Sequence, residues 1–579
     1  MTRPLRRPTS LRTLAIVLLV GLAHSGGMAW AQAPLPPQPP ATADPAQLQR
    51  QREELERLRQ LQPAKPVDPR LTAPAPGPES DAPGAPGPSF VLKQVEFTPS
   101  RLLTRAELDA VMSAQIGKPT SFADVKRLAQ AINALYLAKG HLTARAFVPS
   151  QRVADGTLKV QLIEATLARL EPADNSRLSP RFVADLLATP EGSLIDAPAI
   201  NERLTRLHRN TPDNRIGLSF SAAEGKNSGL SVVKVQTEEP PWWTARVSAS
   251  NEGADSLGKN QASVNLALNN LLGWTDKLTV LAIRSQGSTS GNVQYSVPLP
   301  GPFLGWGTRL TAGVSKGKTQ SVSPGFESVQ LDGDSSGTNL ALAQPLWSSG
   351  AWSVDGTLSL GQTRSATAIA AQTFSEIRTR SSGLGVNLVR RDETSIAMLG
   401  LAYNSALTRI VTLDSRSNAG VIQLNLSIQQ VLGGGYWALG RSVIQRTAQD
   451  RLPATLQFQA GGPGNVRGYP SPSVSGDRGE TLSLELHRSL SPVSERMDAF
   501  AFIDLARVQQ LSARRIDGAS VDVKVNERLA SLGLGLNYTA DAWGASLAVA
   551  SPRKAVANIK QDGSRVLLRV SLDLDKFLK

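Results

Sequence analysis

Residues 461–469 read GGPGNVRGY, and residues 475–480 read SGDRGE ahead of a stretch in which Leu482, Leu484 and Leu486 alternate with other residues. Glycine adopts backbone conformations that other residues avoid, and it lets one backbone approach another closely. The alternation that follows is typical of a strand whose two faces meet different surroundings. The sequence therefore predicts a glycine-rich loop that carries one arginine, Arg467, and leads into a β-strand.

The same alternation runs from Trp242 to the C-terminus, in segments separated by Gly, Asn, Asp and Ser. Clear examples are residues 262–269, 422–429 and 566–574. One apolar and one polar face suit a barrel with lipid outside and water inside. About 338 residues, at roughly 20 per strand and connection, predict about 16 antiparallel transmembrane strands within residues 239–579. A soluble sandwich is disfavoured because its strands would have two incompatible faces.

A second segment, residues 500–508, reads FAFIDLARV. Asp504 shares a strand face with Phe500 and Phe502, so we expect it to face the interior of the barrel. Together the two segments resemble the signature motifs of two-partner secretion (TpsB-type) transporters, the exporters of haemolysins and filamentous haemagglutinins. The resemblance implies that Arg467 reaches into the barrel and pairs with Asp504.

We call the residues of this expected contact the latch: Val466, Arg467, Gly468, Tyr469 and Asp504. By the same resemblance, Gly468 permits close backbone approach and Tyr469 packs beside the pair. A secondary motif accompanies the latch and consists of Phe502, Ala506, Asp477 and Gly479. Ala506 stands where the family usually has glycine.

Residues 90–165 predict the order strand, helix, helix, strand, strand, with Thr104 and Ser121 as helix N-caps. One face of the second helix is predicted to be core: Phe122, Val125, Leu128, Ile132 and Leu135. This order resembles the POTRA module of the same transporters, and residues 166–238 repeat it. The predicted fold is therefore mixed: two α+β POTRA domains precede the β-barrel.

The N-terminal residues predict targeting and linking segments. Residues 1–31 have the basic, apolar and small-x-small parts of a secretory signal peptide. Residues 32–89 form a Pro-rich linker that cannot bury a core, except for a short amphipathic helix over residues 44–62. That helix is either a solvated spacer or, by resemblance of position and composition, a removable plug of the barrel.

Composition argues against most catalytic chemistry. The chain of 579 residues has no cysteine and four histidines, and it shows no phosphate loop, dinucleotide fingerprint or HExxH motif. Outside the signal peptide the histidines are His141, His208 and His487, and we expect ordinary surface or loop positions for them. The net charge of +14 is spread along the chain, which disfavours nucleic-acid binding. We expect no enzyme activity, cofactor or metal.

The resemblance implies an outer-membrane transporter whose POTRA domains lie in the periplasm. Its expected partner is a large secreted exoprotein of the adhesin or haemolysin type, whose N-terminal secretion domain the POTRA domains bind. Outer-membrane lipid and the barrel-assembly machinery are the other expected partners. The chain finishes Phe577-Leu578-Lys579, where barrels of this kind usually end on an aromatic residue. A barrel-protein insertase and a passive diffusion porin are the alternatives.

Overall fold

The structure is a computed structural model that describes these residues: 71–72, 89–141, 143–149, 151–153, 155–172, 176–211, 214–222, 229–299, 307–322, 331–449, 451–491, 493–516, 519–556 and 563–578. The predicted signal peptide and the predicted helix over residues 44–62 lie outside them. Among the described residues, no helix is both long and apolar enough to cross a membrane.

The part of the chain before the barrel contains four helices and nine strands among its described residues. The helices are α1 Arg105–Ser113, α2 Phe122–Ala138, α3 Pro180–Leu187 and α4 Ala197–Asn210. The strands are β1 Leu71–Thr72, β2 Phe90–Val91, β3 Gln94–Phe97, β4 Pro119–Thr120, β5 Ala144–Phe147, β6 Thr157–Glu164, β7 Thr166–Glu171, β8 Arg215–Ala222 and β9 Leu230–Glu238.

The first module packs α1 and α2 against a sheet of order β3-β6-β5. Both helices begin with capping boxes, in which Thr104 and Ser121 are the N-caps, as the sequence predicts. The α2 face is core at Val125 and Ile132, but the prediction is wrong for Phe122, which is 72% exposed. Helical periodicity assigns a residue to a face, but it does not show where the supporting sheet ends along that face.

The second module has the sheet order β1-β8-β9-β7, covered by α3 and α4. Its centre includes Ile200, Leu204 and Leu207 of α4, which have no exposed surface. Leu71–Thr72 falls within the segment predicted as a linker, yet its backbone adds a parallel strand beside β8. Composition alone did not reveal this pairing, because a two-residue strand leaves no periodic pattern.

His208, near the end of α4, is buried rather than at the surface, so the sequence-based expectation is wrong here. Its Nε2 accepts a hydrogen bond from the backbone N–H of Ile216 at 2.9 Å. Burial, assisted by the positive charge of Arg215, lowers the pKa of His208 to about 4. The imidazole is therefore neutral in the folded module at neutral pH.

We expect the second module to lose stability as the pH falls from about 6.5 to 4. Over this window the unfolded chain binds a proton at His208 and the folded chain does not, so stability falls by about 3 kcal/mol in total. Hydrogen exchange of the full-length chain, corrected for intrinsic rates, checks this: protection of the α4 amides should fall roughly tenfold per pH unit.

His208→Gln should flatten this dependence, whereas His141→Gln should keep it. The same pH profile in His208→Gln as in the parent chain would contradict the assignment.

The second module contacts a turn at residues 270–276, which lies between two strands of the barrel. The backbone N–H of Ser179, the N-cap of α3, donates to the carbonyl of Gly273 at 2.8 Å. Trp274 stacks on Phe182 with ring centroids 6.4 Å apart. Gly273 has a φ of +76°, and a Cβ there would lie 2.6 Å from the Ser179 nitrogen. The contact therefore requires glycine at this turn.

From Trp243 onward, the described residues include a closed antiparallel barrel of 16 strands, as predicted. In chain order the strands from this point are β10 Trp243–Ser250, β11 Gln261–Asn269, β12 Lys277–Ser285, β13 Ser288–Pro298, β14 Arg309–Gln320, β15 Leu331–Ser349, β16 Trp352–Ile369, β17 Gln372–Arg391, β18 Ser395–Ile410, β19 Ser415–Gly433, β20 Tyr436–Arg446, β21 Phe458–Ala460, β22 Val474–Gly476, β23 Arg478–Ser489, β24 Met497–Ile516, β25 Ala519–Thr539, β26 Trp543–Pro552 and β27 Arg565–Asp573. All of these except β21 and β22 belong to the barrel, and β10 pairs with β27 to close it.

The last strand is shorter than its alternating pattern suggests. β27 ends at Asp573, and Leu574–Phe577 forms a helical turn, α5. The predicted alternation runs to Leu574, so the strand ends one residue earlier than predicted. Asp575 in this turn is buried and accepts a hydrogen bond from the Ala245 backbone at 3.2 Å, so contact with β10 stabilises the turn. Phe577 lies in the turn and is exposed, outside the strand pattern.

Candidate functional site

The segment between β20 and β23, described at residues 447–449 and 451–477, forms a loop against the inner wall of the barrel, and we call it the latch loop. Its strands β21 and β22 pair with each other as a small hairpin. Gly461 and Gly462 have φ values of +103° and +101°, and a Cβ at either position would collide with Ser473 or Ser471. Glycine is thus needed for the backbone to turn toward the wall.

The wall beneath the loop has the two faces that the alternation predicts. On β23, Leu482, Leu484 and Leu486 are exposed outward, whereas Ser483 and His487 are buried inward. β24 repeats this arrangement, with Ile503 and Leu505 outward. Asp504 has no exposed surface and lies between them on the inner face.

The structure brings Arg467 and Asp504 together in a bidentate ion pair. Arg467 Nε donates to Asp504 Oδ2 at 2.9 Å, and Nη2 donates to Oδ1 at 2.7 Å. The backbone N–H of Arg467 also donates to Oδ2 at 3.1 Å. Only 8% of Arg467 is exposed, so the pair is shielded from water. Such charge-assisted bonds are stronger than neutral ones and fix the orientation of the guanidinium.

Two serines complete the coordination of the carboxylate because barrel register places them beside it. Ser483 lies opposite Asp504 on β23, and Ser531 lies opposite it on β25. Their hydroxyls donate to Asp504 at 2.8 Å and 3.3 Å. The buried carboxylate therefore has hydrogen bonds at both oxygens, as a charge in a low-dielectric site requires.

Arg467 also contacts Glu485 and Phe502. Its Nη1 lies 3.1 Å from Glu485 Oε1, and its guanidinium carbon lies 3.5 Å from the centroid of the Phe502 ring. The ring can lie flat along the wall because Gly533 is its neighbour on β25, where a Cβ would come within 2.4 Å of the ring. Phe502 therefore supplies a cation–π surface under the arginine.

The other latch residues hold the loop against the wall of the barrel. Gly468 is pressed against the wall, since a Cβ there would lie 2.8 Å from both the Pro552 nitrogen and Ser531 Cβ. The Tyr469 hydroxyl donates to the Lys554 carbonyl at 2.7 Å, so this side chain reaches the segment that follows β26. Val466 is fully buried in an apolar cluster with Ala506.

Asp477 and Gly479 lie at the base of the latch loop. Asp477 Oδ1 accepts a hydrogen bond from the Leu452 backbone at 2.8 Å. Gly479 leaves room for the ring of Phe458, which a Cβ would approach to 2.0 Å. These residues of the secondary motif therefore position the ends of the loop.

Sequence reasoning missed four participants: Ser483, Glu485, Ser531 and His487. His487 was expected at the surface or in a loop and is instead only 3% exposed, on the inner face of β23. The alternation could have indicated this face for Glu485 and His487, because they are two and four residues from Ser483. Within the described ranges, no group of three or more His, Asp or Glu side chains is placed to hold a metal ion.

Comparison with known proteins identifies the family and the fold of this chain. A family model described as haemolysin secretion/activation protein ShlB/FhaC/HecB matches residues 229–538, and a model of the ShlB-type POTRA domain matches residues 90–165. The heme/hemopexin transporter protein HuxB of Haemophilus influenzae (strain 86-028NP) is 24% identical over 80% of this chain and 84% of its own length. The outer membrane transporter CdiB of Dickeya dadantii (strain 3937) is 24% identical over 69% of this chain and 73% of its own.

A solved structure, CdiB from Escherichia coli, superposes with a TM-score of 0.63 at 21% identity, covering 91% of this chain and 98% of that one. This likeness shows the fold. The family model spans more than half of the chain and includes β20 to β24 with the latch loop. The chain therefore belongs to the ShlB/FhaC/HecB family of haemolysin secretion and activation proteins, two-partner secretion transporters of the outer membrane with periplasmic POTRA domains.

Proposed function

We propose that this chain exports one large exoprotein of the adhesin or haemolysin type, and that the latch holds the loop inside the pore through which this substrate passes. The observation that carries the proposal is the buried pair of Arg467 with Asp504 on the inner wall of a closed barrel. In this proposal the ion pair holds the loop against the wall of the lumen, and a loop released from the wall obstructs an extended chain that crosses the barrel.

Recognition is proposed to occur by strand addition, in which an extended segment of the substrate pairs with an open sheet edge. In the first module β5 ends the described order β3-β6-β5, and Phe147 on that strand is 48% exposed. In the second module β8 pairs with β1, and Leu167 of β7 exchanges backbone hydrogen bonds with Gly192 and Ser193. The β5 edge of the first module is thus the better candidate for the N-terminal secretion domain of the substrate.

Movement through the pore is proposed to need no catalytic step by this chain. The polar groups of the latch satisfy one another, and folding of the substrate outside the cell can bias its movement outward. The predicted helix over residues 44–62 would have to leave the pore if it occupies it. Insertion of the chain itself is proposed to use the barrel-assembly machinery.

Quantitative proteomics of culture medium and outer membrane, with and without this chain, tests the proposal. We expect one large secreted protein to disappear from the medium while other outer-membrane barrels stay at their normal levels. Re-expression of the intact chain should restore the secreted protein.

A broad fall in other barrel proteins would instead establish an insertase. No change in either fraction would favour a passive pore, for which a substrate-binding arm has no purpose.

A further inference from the structure

A chain of charged side chains continues from the latch along the inner wall. The first link is Glu485, whose Oε1 lies 3.1 Å from Arg467 Nη1 and accepts a hydrogen bond from Arg441 Nη2 at 2.9 Å. Its other oxygen, Oε2, lies 2.9 Å from His487 Nε2. His487 Nδ1 in turn lies 2.8 Å from Asp498 Oδ2. The imidazole therefore stands between two carboxylates.

A neutral imidazole cannot satisfy both of these contacts. It carries one N–H, so one carboxylate would face a ring nitrogen lone pair at hydrogen-bond distance. The doubly protonated ring donates to both carboxylates, as this geometry requires. Asp498 also accepts from Asn537 Nδ2 at 3.1 Å, and Glu485 accepts from Arg441 and forms an ion pair with Arg467. Both carboxylates thus make the hydrogen bonds and ion pairs that ionised groups require.

Aromatic neighbours restrict the orientation of the His487 ring. His487 stacks on Trp437 at a centroid distance of 3.6 Å and on Phe500 at 4.9 Å. Gly535 on β25 allows Phe500 to lie flat, because a Cβ there would come within 2.2 Å of its ring. The aromatic rings therefore fix the plane of the imidazole, and the plane fixes the direction of both N–H groups.

Charges in this group balance only when His487 is protonated. The charged groups that face it, from its own strand, from β20, from β24 and from the latch loop, are Glu485, Arg441, Asp498, Asp504 and Arg467. With the imidazolium there are three cations and three anions. Loss of the ring proton leaves one excess negative charge and one acceptor facing a lone pair in a buried site.

We propose that protonated His487 is a positioning residue for the latch: it holds Glu485 in the orientation that receives Arg467, so the attachment of the latch loop depends on the protonation of this ring. The proposal deepens the proposed role of the latch and rests on it. Deprotonation turns Glu485 away from its present position and weakens one of the two carboxylate contacts of Arg467. The loop then leaves the wall more readily.

A spin label on the latch loop tests this without any measurement of export. The chain has no cysteine, so Gly464→Cys gives a single labelling site. Gly464 is exposed and lies in the turn three residues before Arg467. The electron paramagnetic resonance spectrum of the purified, folded full-length chain then reports the fraction of mobile loop between about pH 5 and 9.

We expect the mobile fraction to rise roughly fivefold with pH in the parent chain. This pH-dependent rise should be absent in His487→Gln, in which the latch loop should be mobile at every pH. It should be present in His141→Gln. A flat profile in the parent, or an unchanged rise in His487→Gln, overturns the proposal. Because the label reads loop position, failure of the export experiment would leave this result unaffected.

Glu485→Gln provides a second test if His487→Gln does not fold, as judged by heat-modifiable migration on gels. With a neutral side chain at this position, protonation of the ring no longer orients a carboxylate toward Arg467. The pH-dependent rise should therefore disappear in Glu485→Gln, and its persistence would overturn the proposal.

Discussion

Replacing Arg467 with alanine should reduce export of the partner protein to roughly a tenth or less while the barrel still folds and inserts. The change leaves Asp504 buried without its bidentate partner and Glu485 without one of its cations. Removing one member of a buried ion pair costs about 3–5 kcal/mol, because the other charge stays desolvated. Asp504→Ala should have an effect of similar size, since it removes the other half of the same contact. Immunoblots of the secreted partner measure export, and heat-modifiable migration on gels measures folding of the barrel.

Arg364→Ala is the matched control. Arg364 donates two hydrogen bonds to Glu376 at 3.1 Å and 3.0 Å, but about half of its side chain is exposed. Exposed pairs of this kind contribute little to stability, so export should stay near the parent level. Normal export by both Arg467→Ala and Asp504→Ala would remove the basis of the proposed latch.

Gly468→Val should impair export about as strongly as Arg467→Ala, although both charged residues remain. A Cβ at Gly468 already lies 2.8 Å from the Pro552 nitrogen and from Ser531 Cβ, and valine adds two methyl groups. The first of these neighbours is backbone of the barrel wall, which cannot move aside without disturbing strand pairing. We therefore expect the loop to be held away from the wall, too far for Arg467 to reach Asp504. Immunoblots measure the secreted partner, and a spin label at Gly464→Cys should become mobile.

Gly464→Val is the matched control, since it makes the same change in the same loop at an exposed turn. It should export normally. An immobile loop in Gly468→Val would show that the close approach at this glycine does not govern the position of the loop.

Much of the architecture follows from local pattern. The alternation of Leu482, Leu484 and Leu486 with inward residues predicts strand and face together, because side chains of a strand alternate with a period of two. The helix starts at Thr104 and Ser121 follow from capping boxes, which depend on residues three apart. Predictions failed at the ends of elements, as at Phe122 and Leu574. Periodicity does not encode the extent of the neighbouring element, so it does not show where a pattern stops.

The pairing of Arg467 with Asp504 was implied by resemblance to a family and not by any local pattern. These residues are 37 positions apart, and nothing between them in the sequence specifies that they meet. The structure supplies the geometry of the pair, its burial and the two serines beside the carboxylate. The role of this contact in export is what the substitutions at Arg467, Asp504 and Gly468 test.

By itself, the sequence determined the class of the protein: a period-two pattern long enough for 16 strands, a preceding helix-and-strand order, and a glycine-rich loop with one arginine. Tertiary structure alone decided which side chains surround that arginine. Barrel register sets Ser483, Asp504 and Ser531 side by side and aligns His487 with Phe500, and register depends on the pairing of whole strands. A histidine that looks unremarkable in the sequence thereby stands between two carboxylates, because the antiparallel pairing of β23 with β24 brings Asp498 beside it.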